Sequence, residues 1–166
     1  PIEISDFRLE KKDGTFFTKS DLDDKWTIMY FGFTSCPSEC PVTMSELRKL
    51  INALREKDFK LNDKQWVLVT IDPERDSAAD IDFYASRFDP EFIGLRGDRA
   101  TLLSLSTQLN VAKVQPMKHE MHDIEELSDH INNIVFINKD AQYFGFFRPP
   151  FEMSKLSLTY QSITTQ

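Results

Sequence analysis

Two cysteines, three residues apart, stand where an apolar run ends and an amphipathic one begins. That junction constrains the fold more than any other feature of the chain. Ile28-Met29-Tyr30-Phe31 leads through Gly32 into Phe33-Thr34-Ser35-Cys36-Pro37-Ser38-Glu39-Cys40-Pro41. A short apolar run bounded by turn residues reads as a buried strand. Beyond Pro41, the residues Met44, Leu47, Ile51 and Leu54 recur at helical spacing and predict a helix to about Lys57. Extended backward by fours, the stripe reaches Cys40 and Cys36. A thiol pair between a strand and the helix that follows it points to a thioredoxin-like layout. The three intervening residues depart from the usual C-x-x-C.

The rest of the chain fits that layout. Phe7-Arg8-Leu9 and Thr15-Phe16-Phe17 flank an Asp13-Gly14 turn and predict an N-terminal hairpin. Trp66 to Ile71 is apolar in character throughout but for Thr70, as a parallel strand buried on both faces should be. Helices are expected over Ala78 to Phe88 and Arg99 to Leu109, with a short strand at Phe92 to Leu95 between them. Asn110 to Asp129 reads as irregular. Ile131 to Asn138 and Tyr143 to Phe147 form a second hairpin around Lys139-Asp140-Ala141, and Ser154 to Thr164 a weak last helix. Strands alternating with helices imply an α/β fold, a central mixed sheet flanked by helices. With the added hairpin, one domain over residues 1–166 is expected.

Composition excludes some functions. A net charge of -7, with no basic stripe, argues against a nucleic-acid partner. No apolar run approaches the roughly 20 residues that cross a bilayer. The chain opens on Pro1, not Met, as expected of a trimmed piece that has lost an N-terminal membrane anchor.

Cys36 and Cys40 are the only cysteines in 166 residues. They can close a disulfide, hold a soft metal, or do both in turn. Each precedes a proline, which disfavours helical backbone at the cysteine. The turn is therefore expected to stay irregular until Pro41. Proximity to a helix N-terminus should lower both thiol pKa values, with Glu39 working against it. Thiolates suit Cu(I), zinc or iron–sulfur clusters. Four thiolates are not available in one chain, whereas two thiolates and an imidazole suit copper. Of His119, His122 and His130, the last precedes the strand at Ile131, where a thioredoxin-like layout brings the loop beside the cysteine turn. His130 is either that ligand or a loop histidine bonded to Asp129.

Gly32 to Pro41, then Ile71-Asp72-Pro73-Glu74-Arg75-Asp76, then Asp129-His130, resemble the SCO/SenC family of copper chaperones, in order and over nearly the whole chain. The resemblance implies that Cys36, Cys40 and His130 bind one copper per chain, as Cu(I) or Cu(II). It implies a role in assembling the CuA centre of cytochrome c oxidase subunit II, by delivering copper or by reducing partner cysteines. It also implies tethering at the periplasmic side of the bacterial inner membrane, ahead of the mitochondrial intermembrane space. Asp72 would then lie next to the ligands, and Asp129 would orient His130. Without the resemblance, Asp72 caps the following turn and Asp76 starts the helix at Ala78.

Met117-Lys118-His119-Glu120-Met121-His122 packs two thioethers and two imidazoles into six residues. It reads as an exposed loop or as a second copper site. Two further activities compete with the chaperone. A thiol–disulfide oxidoreductase would cycle Cys36 and Cys40 between dithiol and disulfide without needing His130. A peroxidase of the peroxiredoxin type would be expected to show T-x-x-C, but Thr34 stands only two residues before Cys36.

Overall fold

The computed structural model describes residues 1–57, 60–109, 111, 133–148 and 152–165. The strand expected from Trp26 runs to Gly32 (β4) and all seven residues are buried, which places it mid-sheet. Before it come β1 (Ile2–Glu3), β2 (Arg8–Glu10) and β3 (Phe16–Thr18). After it come helix α1 (Glu39–Glu56), β5 (Lys64–Thr70), α2 (Ala78–Ser86), β6 (Phe92–Arg96) and α3 (Arg99–Gln108). The described chain closes with β7 (Ile134–Ile137), β8 (Gln142–Phe147) and helix α4 (Met153–Thr164). The eight strands form one sheet in the order β1-β8-β7-β4-β5-β6-β2-β3.

The sheet is mixed. β4, β5 and β6 are parallel, and the other ladders are antiparallel. Parallel neighbours require crossovers, which α1 and α2 supply. Ile28 aligns with Trp66 on β5 and with Phe136 on β7, so the three side chains share one face. Tyr160 of α4 packs on that face, 5.4 Å from Trp66 and 5.7 Å from Phe136 between ring centroids. Tyr30 and Gly32 follow on the same face by alternation. α2 lies close against β6. A Cβ on Gly94 would stand 2.3 Å from the backbone nitrogen of Asp82, so only glycine admits the helix there.

α1 buries Cys40, Thr43, Met44, Leu47, Leu50, Ile51 and Leu54, the stripe read from the sequence with Cys40 as its first member. The helix begins two residues earlier than expected. Cys40 and Pro41 both lie in its first turn, where N–H groups have no intrahelical acceptor, so proline forfeits no hydrogen bond. This first turn overrides the pre-proline preference that argued for an irregular Cys40. α2 is capped by Ser77, whose Oγ accepts the Asp80 N–H at 3.0 Å while Asp80 accepts the Ser77 N–H at 3.1 Å. The cap is therefore Ser77, and Asp76, which the sequence reading placed at this helix start, is used elsewhere.

Asp129, His130, His119, His122, Met117 and Met121 lie outside the described residues, as does the stretch from Asn110 to Asp129 apart from Val111. Among the described residues, no helix is long and apolar enough to cross a membrane.

Candidate metal centre

β4 ends at Gly32, and Phe33 carries the chain, fully buried, into the cysteine turn. The Cys36 N–H donates to the Phe33 carbonyl at 3.2 Å, closing a tight turn. Neither cysteine is in a disulfide, and both are buried, Cys36 at 5% exposure and Cys40 at 0%. The N–H of Cys40 donates to Cys36 Sγ at 3.3 Å. Ser38, at the N-cap position, makes no side-chain cap bond, so the Cys36 sulfur serves one of the helix's open N–H groups. Cys36 thus sits where a helix end favours negative charge.

Cys40 behaves oppositely. Its hydrogen bond with Cys36 raises its pKa most, burial raises it further, and negative charge on Cys36 adds to both. The expected lowering of both thiol pKa values therefore fails at Cys40. A negative charge on Cys36 therefore opposes a second one on Cys40. The second proton leaves readily only when a cation replaces it, which is the condition a thiolate-binding metal ion supplies.

Gly32 makes room for this pair. A Cβ there would stand 3.2 Å from Cys40 Sγ and 3.2 Å from Leu68 Cδ1. Both neighbours are packed, so Gly32→Ala is expected to cost about 1–2 kcal/mol by overpacking. It should also displace the Cys40 sulfur and weaken metal binding. Thermal melts beside a metal titration check both, and an unchanged affinity would show that the sulfur has slack.

Asp76 holds the turn from below. It is 2% exposed, and its Oδ2 accepts the Thr34 N–H at 3.0 Å and the Thr70 hydroxyl at 2.8 Å. Its Oδ1 accepts the Thr34 hydroxyl. One carboxylate therefore joins the cysteine turn to the end of β5. Asp72, also buried, uses its carbonyl to accept the N–H groups of Arg75 (3.1 Å) and Asp76 (2.8 Å), shaping the loop that aims Asp76. The Asp72 N–H donates to Thr70 Oγ1 at 3.0 Å, and its carboxylate stands 3.8 Å from Arg75 Nη1.

Two tyrosines also reach the site, and neither was marked by sequence reasoning. The hydroxyl of fully buried Tyr30 faces Cys40 and Thr43. Tyr84 of α2 lies within electrostatic range of Cys40, Cys36 and Asp76. Burial raises the pKa of both phenols, so they stay protonated donors at neutral pH. For Tyr30 a signal existed, since it shares a strand face with Gly32 two residues before the turn.

The structure brings together Cys36 and Cys40, and it bonds Asp76 to Thr34 in the turn they share. Among the described residues, no group of three or more His, Cys, Asp or Glu could hold a metal ion.

Residues 2–163 match the family model described as SCO1/SenC. Protein SCO1 homolog 1, mitochondrial, of Arabidopsis thaliana is 31% identical over 151 residues, 91% of this chain and 44% of that protein. This chain thus spans less than half the length of that relative. The SCO2-like protein of Rickettsia felis is 28% identical over 142 residues, 86% of this chain and 67% of that protein. Among solved structures, Arabidopsis thaliana ScoI with copper bound is 27% identical, with a TM-score of 0.76 over 98% of each chain. An unbridged cysteine pair at the head of α1, a mixed sheet with an added N-terminal hairpin, and a family match running almost end to end lead to one conclusion: the chain belongs to the SCO1/SenC family and carries its thioredoxin-like fold.

Proposed function

We propose that this chain is a copper chaperone. It binds one copper ion through Cys36, Cys40 and His130 and delivers it to the CuA centre of cytochrome c oxidase subunit II. The observation that carries the reading is the buried, unbridged cysteine pair at a helix N-terminus, where the Cys40 N–H donates to Cys36 Sγ. Soft, adjoining thiolates select Cu(I) over harder ions, and an added imidazole completes a trigonal site. The copper-bound Arabidopsis ScoI, similar over 98% of each chain, supports the choice of metal. One similar protein is mitochondrial and another is bacterial, so the family works in both settings. We place this chain at the periplasmic side of the bacterial inner membrane. Asp129 would orient His130 by accepting its second ring N–H.

The cargo ion and the redox state of the pair exclude one another. Oxidation removes two electrons and two protons and joins the sulfurs, so a disulfide offers no thiolate. Fully reduced protein is expected to take up one equivalent of Cu(I) tightly, and disulfide-bonded protein none until a reductant is added. The check is anaerobic titration of both forms against a competing chelator. Tight stoichiometric uptake by the oxidised form would overturn the site.

A second reading has its own support. The same two cysteines, unbridged and joined by the bond from the Cys40 N–H to Cys36 Sγ, could close a disulfide, so the chain could instead reduce partner cysteines. His130→Ala separates the two roles. Loss of copper binding with retained disulfide reduction would leave reduction as a separate activity of the pair.

A further inference from the structure

Two buried phenol hydroxyls lie within electrostatic range of the thiol pair, and neither makes an aligned hydrogen bond among the described residues. Tyr30 is 0% exposed, and its hydroxyl lies within interaction range of Cys40 and Thr43 but is not aligned in hydrogen-bond geometry with a partner among the described residues. The Tyr84 hydroxyl is buried on the α2 side of the pair, again with no hydrogen bond among the described residues. Buried hydroxyls are nearly always bonded, because an unmade bond carries the full desolvation penalty. Two exceptions beside one pair of sulfurs call for an acceptor that the metal-free, protonated state does not provide. A neutral thiol is a weak acceptor, whereas a sulfur bearing negative charge is a strong one.

Building on the copper reading, we propose that Tyr30, seconded by Tyr84, is a positioning residue that donates a hydrogen bond to the metal-bound sulfur. On loading, the Tyr30 O–H turns onto Cys40 Sγ, and a group unpartnered in the free protein becomes satisfied. The local geometry allows this. The point where a Gly32 Cβ would lie is 3.2 Å from Cys40 Sγ and 3.4 Å from Tyr30 Cε2, so the ring edge and the sulfur both border the bare glycine. The loaded state gains a charge-assisted bond at no cost in new ordering, because the core already fixes the ring. No covalent step is involved, and the phenol keeps its proton.

The test is Tyr30→Phe, with Tyr84→Phe and the double variant beside it. Three quantities are read on reduced protein: Cu(I) affinity by chelator competition, the sulfur-to-Cu(II) charge-transfer band, and the melting temperature without metal. Tyr30→Phe is expected to keep one equivalent while its affinity falls about tenfold or more, the range of a hydrogen bond to a charged group. Its band should move to lower energy, since an undonated thiolate gives up its electron more easily. Metal-free stability should hold or rise, because an unpartnered buried hydroxyl has been removed. Tyr84→Phe should move the same quantities in the same directions by less.

Unchanged affinity and band in both single variants and in the double variant would overturn the proposal. So would a lowered melting temperature with an unmoved band, the result expected of a packing role. If the unsubstituted chain takes up no copper, the copper reading fails by itself, and the same variants are then read with Cd(II). A Cd(II) affinity that depends on Tyr30 would uphold the donor role. Failure of the pair to hold either ion would overturn both.

Discussion

Anaerobic titration of reduced Cys40→Ser protein is expected to show no tight copper equivalent, where the unsubstituted chain takes up one. Cys40 is fully buried at the head of α1, its N–H donates to Cys36 Sγ, and its own sulfur is the second of the two soft donors. A serine hydroxyl stays protonated at neutral pH and is a hard donor that copper does not favour. Removing groups that merely orient a metal's ligands costs about 10–100-fold in affinity, so removing a ligand should exceed the upper end of that range. Cys36→Ser should lose binding to the same degree while keeping the fold. A serine Oγ at position 36 can still accept the Cys40 N–H that Cys36 Sγ now accepts, as serine does at helix N-termini. His130→Ala should weaken binding severely and leave thiol chemistry intact. Circular dichroism of each variant separates loss of the site from loss of the fold. Binding that survives either cysteine variant with unchanged affinity would show that the ion sits elsewhere, and the methionine–histidine stretch from Met117 to His122 would then become the place to look.

Much of this was legible along the chain, for reasons that differ by element. β4 and β5 could be read because strands buried on both faces are largely apolar, and Ile28 to Phe31 and Trp66 to Ile71, broken only by Thr70, fit that pattern. The N-terminal hairpin showed in Asp13-Gly14, and Gly14 does adopt a positive φ of 83°. The start of α1 was misplaced because the rule for residues before proline is local. In the structure, the N–H of Cys40 finds the Cys36 sulfur and the helix begins ahead of the proline. Asp76 was misread for a related reason. An Asp two residues before a helix looks like its cap, but Ser77 takes that role, and the partner of Asp76 lies 42 residues back at Thr34. Such contacts leave no periodicity to detect. Tyr30 looked like any core aromatic until α1 was laid over it. His130 and Asp129 came from resemblance to a family, and no period or composition could have singled them out.

The Asp76 link has the second largest expected effect. Asp76→Ala removes one carboxylate and strands three donors: the Thr34 N–H, the Thr34 hydroxyl and the Thr70 hydroxyl. The Thr70 hydroxyl is fully buried and the Thr34 groups are partly so, so water cannot replace every bond. Each bond to a charged acceptor contributes about 1.5–3 kcal/mol, and the three are not additive. A destabilisation of about 3 kcal/mol or more follows, which in a chain of 166 residues lowers the melting temperature by roughly 6–12 °C. Asp76→Asn should recover most of it. Its amide oxygen can still accept two donors at the Oδ2 position, and its NH₂ can face the Thr34 hydroxyl, which is able to reverse and accept. Metal binding supplies the readout that a purely structural link would not move in the same way. With Thr34 released, the turn from Phe33 to Cys36 loses its anchor to β5. Copper affinity of Asp76→Ala measured well below its melting temperature should therefore still fall, by about tenfold within the range for supporting residues. Asp76→Asn should bind nearly as the unsubstituted chain does. If Asp76→Ala melts early yet binds copper with full affinity at low temperature, Asp76 stabilises the fold without positioning the thiols, and the turn is held by Phe33 and the α1 N-terminus alone.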